Sequence, residues 1–342
     1  MKFRSILLLA VAFVLLAISC KKKEEETTYL SFVGTPDFTM PSFVEVGQTF
    51  TLTPKEVSRA SSDERTTLPG CYWNIPALER KDTLRREGDG ASVSTTIVFQ
   101  VPDTLLTLTV SCSMFAQDYS NTSCSQSSVV VRSKGGYSSL QGIDYPLNTF
   151  RDARDGHIYH YAKVAGTDWM AENMAYPECG FSYLECAVVD PFFGRYYTWK
   201  EALQVCPEGW TLPTNADFLA LNNAFLTEAE TDAAATFMKG AGNHMANAYF
   251  NSTRMWTYWP DVIPTNRSGL SLIPTGYAAV VDGKPAFTDV LKYSMIWTAD
   301  AYDEDQAYYR SIYEKYDTFN CEKGYKDHMA MSVRCIRKTA TD

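Results

Sequence analysis

Cysteines, histidines and a knot of acidic residues are the groups in this chain that could carry covalent, acid–base or metal chemistry, and their spacing argues against most of it. There is no Cys-x-x-Cys pair, which removes a zinc knuckle or a thioredoxin-like redox site. His157 and His160 stand three apart in a strand-like stretch, point to opposite faces and make a poor metal pair; His244 and His328 are the other two histidines. Asp152 and Asp155 fall at an Asp-Gly turn signal. Asp300, Asp303, Glu304 and Asp305 could supply some of the roughly six to eight oxygens that a calcium ion takes, but the run reads as a solvated loop. No Gly-x-Ser-x-Gly, His-Glu-x-x-His, phosphate-binding loop or dinucleotide fingerprint occurs. The expectation is a chain that is not an enzyme and needs neither metal nor cofactor.

Two kinds of chemistry remain: disulfide bonding and aromatic recognition. Besides Cys20 there are eight cysteines, at 71, 112, 124, 179, 186, 206, 321 and 335. In an exported chain these read as disulfides rather than ligands or nucleophiles. For recognition, "MWTYWPD" places Trp256, Tyr258 and Trp259 in a loop-like stretch rich in Asn, Thr and Pro, where aromatic faces can stack on a sugar or on a partner's side chains. The same three can instead pack onto their own domain. The net charge of −9 argues against a nucleic-acid partner.

Export is read from the first residues. Lys2 and Arg4 precede an apolar run, Ile6 to Ile18, that is too short to span a bilayer and suits a signal peptide over residues 1–19. The run ends in "LAISC", which resembles a bacterial lipobox and makes Cys20 the expected lipidation site; a plain cleaved signal is the alternative. The charged run "KKKEEETT" then forms a solvated tether over residues 20–28. An acidic run after a lipidated Cys is similar to the export signal of Bacteroidetes surface lipoproteins, or it is mere spacer. The expected location is the outer membrane, lipid-anchored and surface-exposed.

The remaining chain, about 320 residues, is enough for two domains. Residues 29–133 alternate apolar and polar in "FVEVGQTFTLTP", "CYWNIP", "STTIVFQVP", "TLLTLTVSCSMFA" and "QSSVVVRS", and predict an all-β immunoglobulin-like sandwich. In that reading Cys71 and Cys112 bridge the two sheets, with Cys112 and Cys124 as the rival pair across a hairpin. "DTL" at Asp82 and Asp103 is similar to the acceptor triplet of Bacteroidetes O-glycosylation. "SKGGYSSLQGID" breaks the pattern, so residues 134–148 read as a linker.

In the second half, Thr198 and Glu201 form a capping box that starts a helix at about Trp199, and Trp199, Ala202, Leu203 and Cys206 line one apolar face. Pro207 and Gly209 stop it. Thr214 with Asp217 starts a second helix carrying Phe218, Leu221 and Phe225. The Cys on the first helix needs a distant partner, and Cys335 in "MSVRCIRK" is the expected one.

Taken together, "DGHIYHYAKVAGTDWMAENM", "GRYYTWKEALQVCPEGWTLPTNADFLAL", "GLSLIPTGY", "YSMIWTADAYDEDQAYYRSIYE" and "SVRC", in this order over residues 149–338, resemble the Fibrobacter succinogenes major paralogous domain family. The layout is also similar to the C-type-lectin-like fold. The resemblance implies an α+β domain whose N- and C-terminal strands lie together, a local disulfide between Cys179 and Cys186, and core roles for Trp169, Trp199, Trp210 and Trp297. Cys321 lies outside the usual pattern. The "EPN", "QPD" and "WND" tripeptides of calcium-dependent sugar binders are absent, the last position reading "WTAD". The formylglycine-generating enzymes, whose fold is related, use cysteines that are here assigned to bridges.

The functional expectation is a surface-anchored recognition or adhesion protein that binds a glycan or protein through its C-terminal domain. A structural or assembly subunit of the cell envelope is the alternative.

Overall fold

The computed structural model describes residues 28–65, 69–85, 95–103, 106–133, 138–227 and 236–338. The expected signal segment, Cys20, nearly all of its tether, residues 134–137 of the expected linker and residues 104–105 of the second "DTL" triplet lie outside them. The described chain is β-rich with three short α-helices, and none of its helices is long and apolar enough to cross a membrane.

The N-terminal unit follows from two-residue alternation. Along Thr107–Phe115 every second side chain, Leu108, Val110, Cys112 and Met114, is fully buried, while the intervening Ser and Thr face outward. This strand lies inside a five-stranded sheet in the order Phe43–Glu45, Thr122–Val131, Thr107–Phe115, Gly70–Ile75, Arg80–Arg85. The first two of these pair in parallel, Phe43 with Val129 through Glu45 with Val131; the others are antiparallel. A second sheet of Thr49–Leu52 and Ile97–Gln100 supplies Leu52, Ile97 and Phe99 to the same core as Trp73, Val110 and Val44. Trp73 is seated by its Nε1–H, which donates to Thr95 O at 2.8 Å.

The expected bridge between sheets does not form. Cys71 and Cys112 stand on neighbouring strands of one sheet, with their thiols 3.8 Å apart as a buried hydrogen-bonded pair. The segment expected as a linker contributes a strand of its own: Leu140–Gln141 pairs with Tyr249–Phe250.

The described C-terminal unit has three four-stranded sheets and a small three-stranded one, Thr253–Arg254, Tyr249–Phe250 and Leu140–Gln141. In the first, Ile336–Lys338 pairs with Thr167–Met170, so the two ends of the unit meet, followed by Ile158–Val164 and Asn148–Arg151. The second runs Phe237–Lys239, Thr318–Tyr325, Gln306–Tyr313, Tyr293–Ala301, and the third Tyr197–Thr198, Met329–Met331, Tyr277–Val281, Lys284–Thr288. Both predicted helices are present, Trp199–Val205 and Asn215–Asn223, each opened by a complete capping box. The first helix is rotated from the expected face: Ala202 and Val205 are buried while Leu203 faces solvent.

Cys206 and Cys335 are bridged across a sequence separation of 129, which the chain-entropy account values at about 4–5 kcal/mol. Beside that bridge, the Arg334 guanidinium is almost wholly buried. It donates to Asn173 Oδ1 (2.7 Å), Met170 O (3.1 Å), Leu270 O (2.6 Å) and Ser271 O (3.3 Å). Burial lowers its pKa to about 10, so it stays charged at neutral pH.

The two units share an apolar seam. Val131 joins Val189, Phe192, Phe193, Ala248, Met255 and Ile273 in one cluster, with Phe43 and Val129 packed against it. The hairpin turn between Tyr249–Phe250 and Thr253–Arg254 reaches into this seam. Its two central residues, Asn251 (φ 45°) and Ser252 (φ 67°), are both left-handed, as a tight two-residue hairpin requires. Asn251 donates through Nδ2 to Val130 O (3.0 Å) and through its backbone N to Ser139 O (2.8 Å).

Arg334→Lys keeps the charge but loses the planar fork that serves four acceptors. At about 1–3 kcal/mol for each buried group left without a partner, it is expected to lower unfolding free energy by at least about 2 kcal/mol, read from urea melts against the unmodified chain.

Candidate functional site

Of the three expected recognition aromatics, only two reach the surface. Trp256 is 1% exposed, its Nε1–H donates to Leu272 O (3.1 Å), and it packs with Phe218, Leu221 and Phe319. It is a core residue, and its expected role as a ligand platform is corrected. The chain then emerges: Tyr258 is 65% exposed, with the Arg254 guanidinium 5.7 Å from its ring centre. Trp259 is half-buried against the same core, and Lys315 Nζ sits 4.6 Å above its ring. Its Nε1–H has no partner among the described residues.

The turn after Gln306–Tyr313 extends this aromatic surface. Tyr313 stacks on Tyr293 at 4.5 Å and meets Tyr316 edge-on at 5.6 Å, and Tyr316 is 61% exposed. Between the two loops lies a cavity of about 230 Å³ lined by Gly240, Gly242, Asn243, Asp261, Ile263, Thr265 and Asp317. Its shape is held by backbone contacts. Gly242 N donates to Asp317 Oδ1 (2.8 Å), and Thr265 N and Oγ1 both donate to Gly242 O (2.8 and 3.2 Å). Only glycine fits at 242, because a Cβ there would lie 2.3 Å from Ile263 O.

Chemically, the arrangement offers two carboxylates, an amide and a hydroxyl around a shallow hollow, the carboxylates on the same two loops that carry the exposed Tyr258 and Tyr316. Such a set can bind and orient a polyhydroxylated ligand by hydrogen bonds and stacking. Behind it, His244 is fully buried and burial lowers its pKa to about 3, so it is neutral. Asn222 spends its amide N–H on Lys239 O (3.1 Å), and its Oδ1 accepts from His244 Nε2 (2.8 Å). That ring is a core strut. A separate apolar cleft in the seam, lined by Phe43, Tyr183, Phe193, Phe250 and Leu291, offers few directional contacts.

The model of the Fibrobacter succinogenes major domain matches residues 162–337. The chain belongs to this family. All the cavity and rim residues fall inside the Fibrobacter succinogenes major domain. No curated protein matches the chain. Among solved structures, the superoxide reductase (neelaredoxin) from Ignicoccus hospitalis overlaps 32% of this chain and 99% of its own, at 13% identity and a TM-score of 0.21. A single-residue variant of that enzyme overlaps 30% and 82%, at 14% identity and 0.20. Overlaps this slight carry no argument about fold or chemistry.

Within the domain, Cys179 and Cys186 are not bridged. Successive turns at Tyr183–Glu185 and Ala187–Val189 bury Cys186 in the seam, its thiol donating to Leu184 O (3.2 Å). Cys179 packs instead on the cluster around Cys206 and Cys335. The acidic run is occupied by local structure: Asp300 Oδ2 accepts from Asn215 N, and Asp303 Oδ1 accepts from Asp305 N and Gln306 N (2.9 and 2.7 Å). Among the described residues no group of three or more His, Cys, Asp or Glu comes together to hold a metal. Trp169, Trp210 and Trp297 are buried; Trp199 is half-buried and donates to Thr298 O (2.8 Å).

Sequence reasoning missed Asp317, Gly242, Asn243 and Tyr316, which come from segments far from the tryptophan loop. It also missed the ion pair of His160 with Glu172, Nδ1 to Oε2 at 3.1 Å.

Two outcomes follow. Trp256→Ala is expected to cost about 3–5 kcal/mol of stability in a thermal or urea melt, as for other buried tryptophans. The hydrogen bond that the His160 ring donates to the Glu172 carboxylate raises the His160 pKa above 6.5 against the opposing effect of burial. The stabilisation is complete below about pH 6.5 and is lost as pH rises through the raised value. The Tm advantage of the unmodified chain over His160→Gln should therefore be full on the acid side of about pH 6.5 and shrink as pH is raised above it.

Proposed function

We propose that this chain is a non-enzymatic recognition protein of the cell surface, which binds a glycan through the hollow between the tryptophan loop and the 314–317 turn. The observation that carries the reading is the pairing of the exposed rings of Tyr258 and Tyr316 and the half-buried Trp259 with a polar cavity that presents Asp261, Asp317, Asn243 and Thr265. Aromatic faces of this kind bind with little ordering cost, and convergent polar groups supply orientation. A protein ligand that inserts a polar loop into the same hollow is the variant of this reading.

The rest of the molecule is proposed as the means of presenting that site. Lipid at Cys20 anchors the chain in the outer membrane, residues 20–28 form the tether, and the N-terminal unit is an immunoglobulin-like spacer. The family domain is a C-type-lectin-like head, and its sugar contact would differ from the calcium-centred one because the acidic run at 300–305 is tied into a helix start and a turn.

The test is a glycan array probed with the purified protein, with calcium and again with chelator, alongside Tyr258→Ala and Trp259→Ala. Binding that survives chelation and falls at least about tenfold in either variant is expected, each lost stacking contact being worth about 0.5–1.5 kcal/mol beyond its buried area. Binding that needs calcium, or that is untouched in both variants, would overturn the assignment of the site.

A further inference from the structure

The N-terminal sheet sets three thiols in a row. Cys71, Cys112 and Cys124 stand on the adjacent strands Gly70–Ile75, Thr107–Phe115 and Thr122–Val131, in that order across the sheet. Cys112 is directly opposite Cys124 and diagonal to Cys71, which faces Met114. All three contribute to one core cluster. They differ in access: Cys71 and Cys112 are fully buried, with Sγ atoms 3.8 Å apart, whereas Cys124 is half-buried at the edge of that core. An external disulfide can reach only the last.

We propose that Cys124 is the relay thiol through which the buried pair Cys71 and Cys112 is oxidised to a disulfide. The step begins when the Cys124 thiolate attacks an external disulfide, forming a mixed disulfide and releasing one external thiolate. The Cys112 thiolate then attacks the Cys124 sulfur, forming a Cys112–Cys124 bond and releasing the second. Finally the Cys71 thiolate attacks the Cys112 sulfur, forms the Cys71–Cys112 bond, and expels Cys124 as a thiolate that regains a proton. Two protons and two electrons have passed from Cys71 and Cys112 to the external disulfide, which leaves as two thiols.

Cys112 and Cys124 are opposed residues of an antiparallel pair, whose Cα atoms lie about 4.5–5.5 Å apart, inside the ~4.4–6.8 Å that a disulfide spans. Cys71 is diagonal to Cys112, and its attack is carried by the 3.8 Å approach of the two Sγ atoms. The two rival pairings left open by the sequence are thus successive stages around one shared thiol.

The test oxidises the folded full chain with glutathione disulfide, quenches samples with acid, alkylates under denaturing conditions and maps linked peptides by mass spectrometry. The unmodified chain is expected to accumulate the Cys71–Cys112 link. Cys124→Ser should form it more slowly by an order of magnitude or more, and Cys71→Ser should stop at Cys112–Cys124. Circular dichroism checks that each variant is folded, with Cys124→Ala as the replacement if the Ser variant is not. Wild-type rates in folded Cys124→Ser, failure of folded Cys71→Ser to form the Cys112–Cys124 link, or a fully reduced trio in the unmodified chain would overturn the relay.

Discussion

A single buried guanidinium holds the C-terminal domain in register. Arg334 binds the end of the strand at Met170, the side chain of Asn173 just after it and the loop carbonyls at Leu270 and Ser271, so two segments distant from it and from each other converge on one cation. Its neighbours act in the same way. Trp297 N donates to Ser332 O, Met174 N to Val333 O and Met170 N to Cys335 O, while Cys335 is covalently tied to the first helix. Four consecutive residues therefore connect most layers of the unit. Among the described residues no carboxylate pairs with Arg334 directly; neutral acceptors solvate it, which makes their geometry exacting because each one lost leaves a buried charge short of a partner.

This frame leaves two loops of the domain free to carry exposed side chains. The tryptophan loop and the 314–317 turn are anchored on the inner side, by Trp256 in the core and by Phe319 within the sheet, and their outer residues need not be apolar. Tyr258, Ile263 and Tyr316 are accordingly well exposed. Shape at the hollow is set by backbone groups around Gly242 rather than by the side chains that face outward. Asp317 and Thr265 take part in that frame through Oδ1 and Oγ1, whereas the exposed rings of Tyr258 and Tyr316 stand outside it, on loops that carry binding over a rigid support.

Much of this could be read from residue spacing where the determining forces are local. Both capping boxes, the strand alternation of the N-terminal sheet and the Cys206 and Cys335 pairing of a helix with a late strand were legible, since each depends on near neighbours or on a long-range partner with few competitors. The misreadings share a cause. Trp256 and Tyr258 are two residues apart in the same kind of loop sequence, and what buries one is the carbonyl of Leu272 and the face of the second helix. Leu203 matched the expected stripe, but the sheet it packs beside presses on Ala202 and Val205. Cys186 was drawn away from Cys179 by turns that serve the seam, and Asp317 enters the site from far along the chain. Tertiary contacts made these choices, and no window of sequence contains them.

The parallel pairing of Phe43–Glu45 with Val129–Val131 has a mechanical consequence. The chain enters this pair at the start of the first strand and leaves toward the C-terminal unit from the end of the second. Traction between the N-terminal end and the head therefore pulls the two strands past one another, and the bonds between them carry the load side by side rather than opening in turn. The Asn251 hydrogen bonds to Val130 and Ser139 add a second fastening at the same place. How long the two units stay docked under such a pull is governed by the height of an unfolding barrier, not by equilibrium stability.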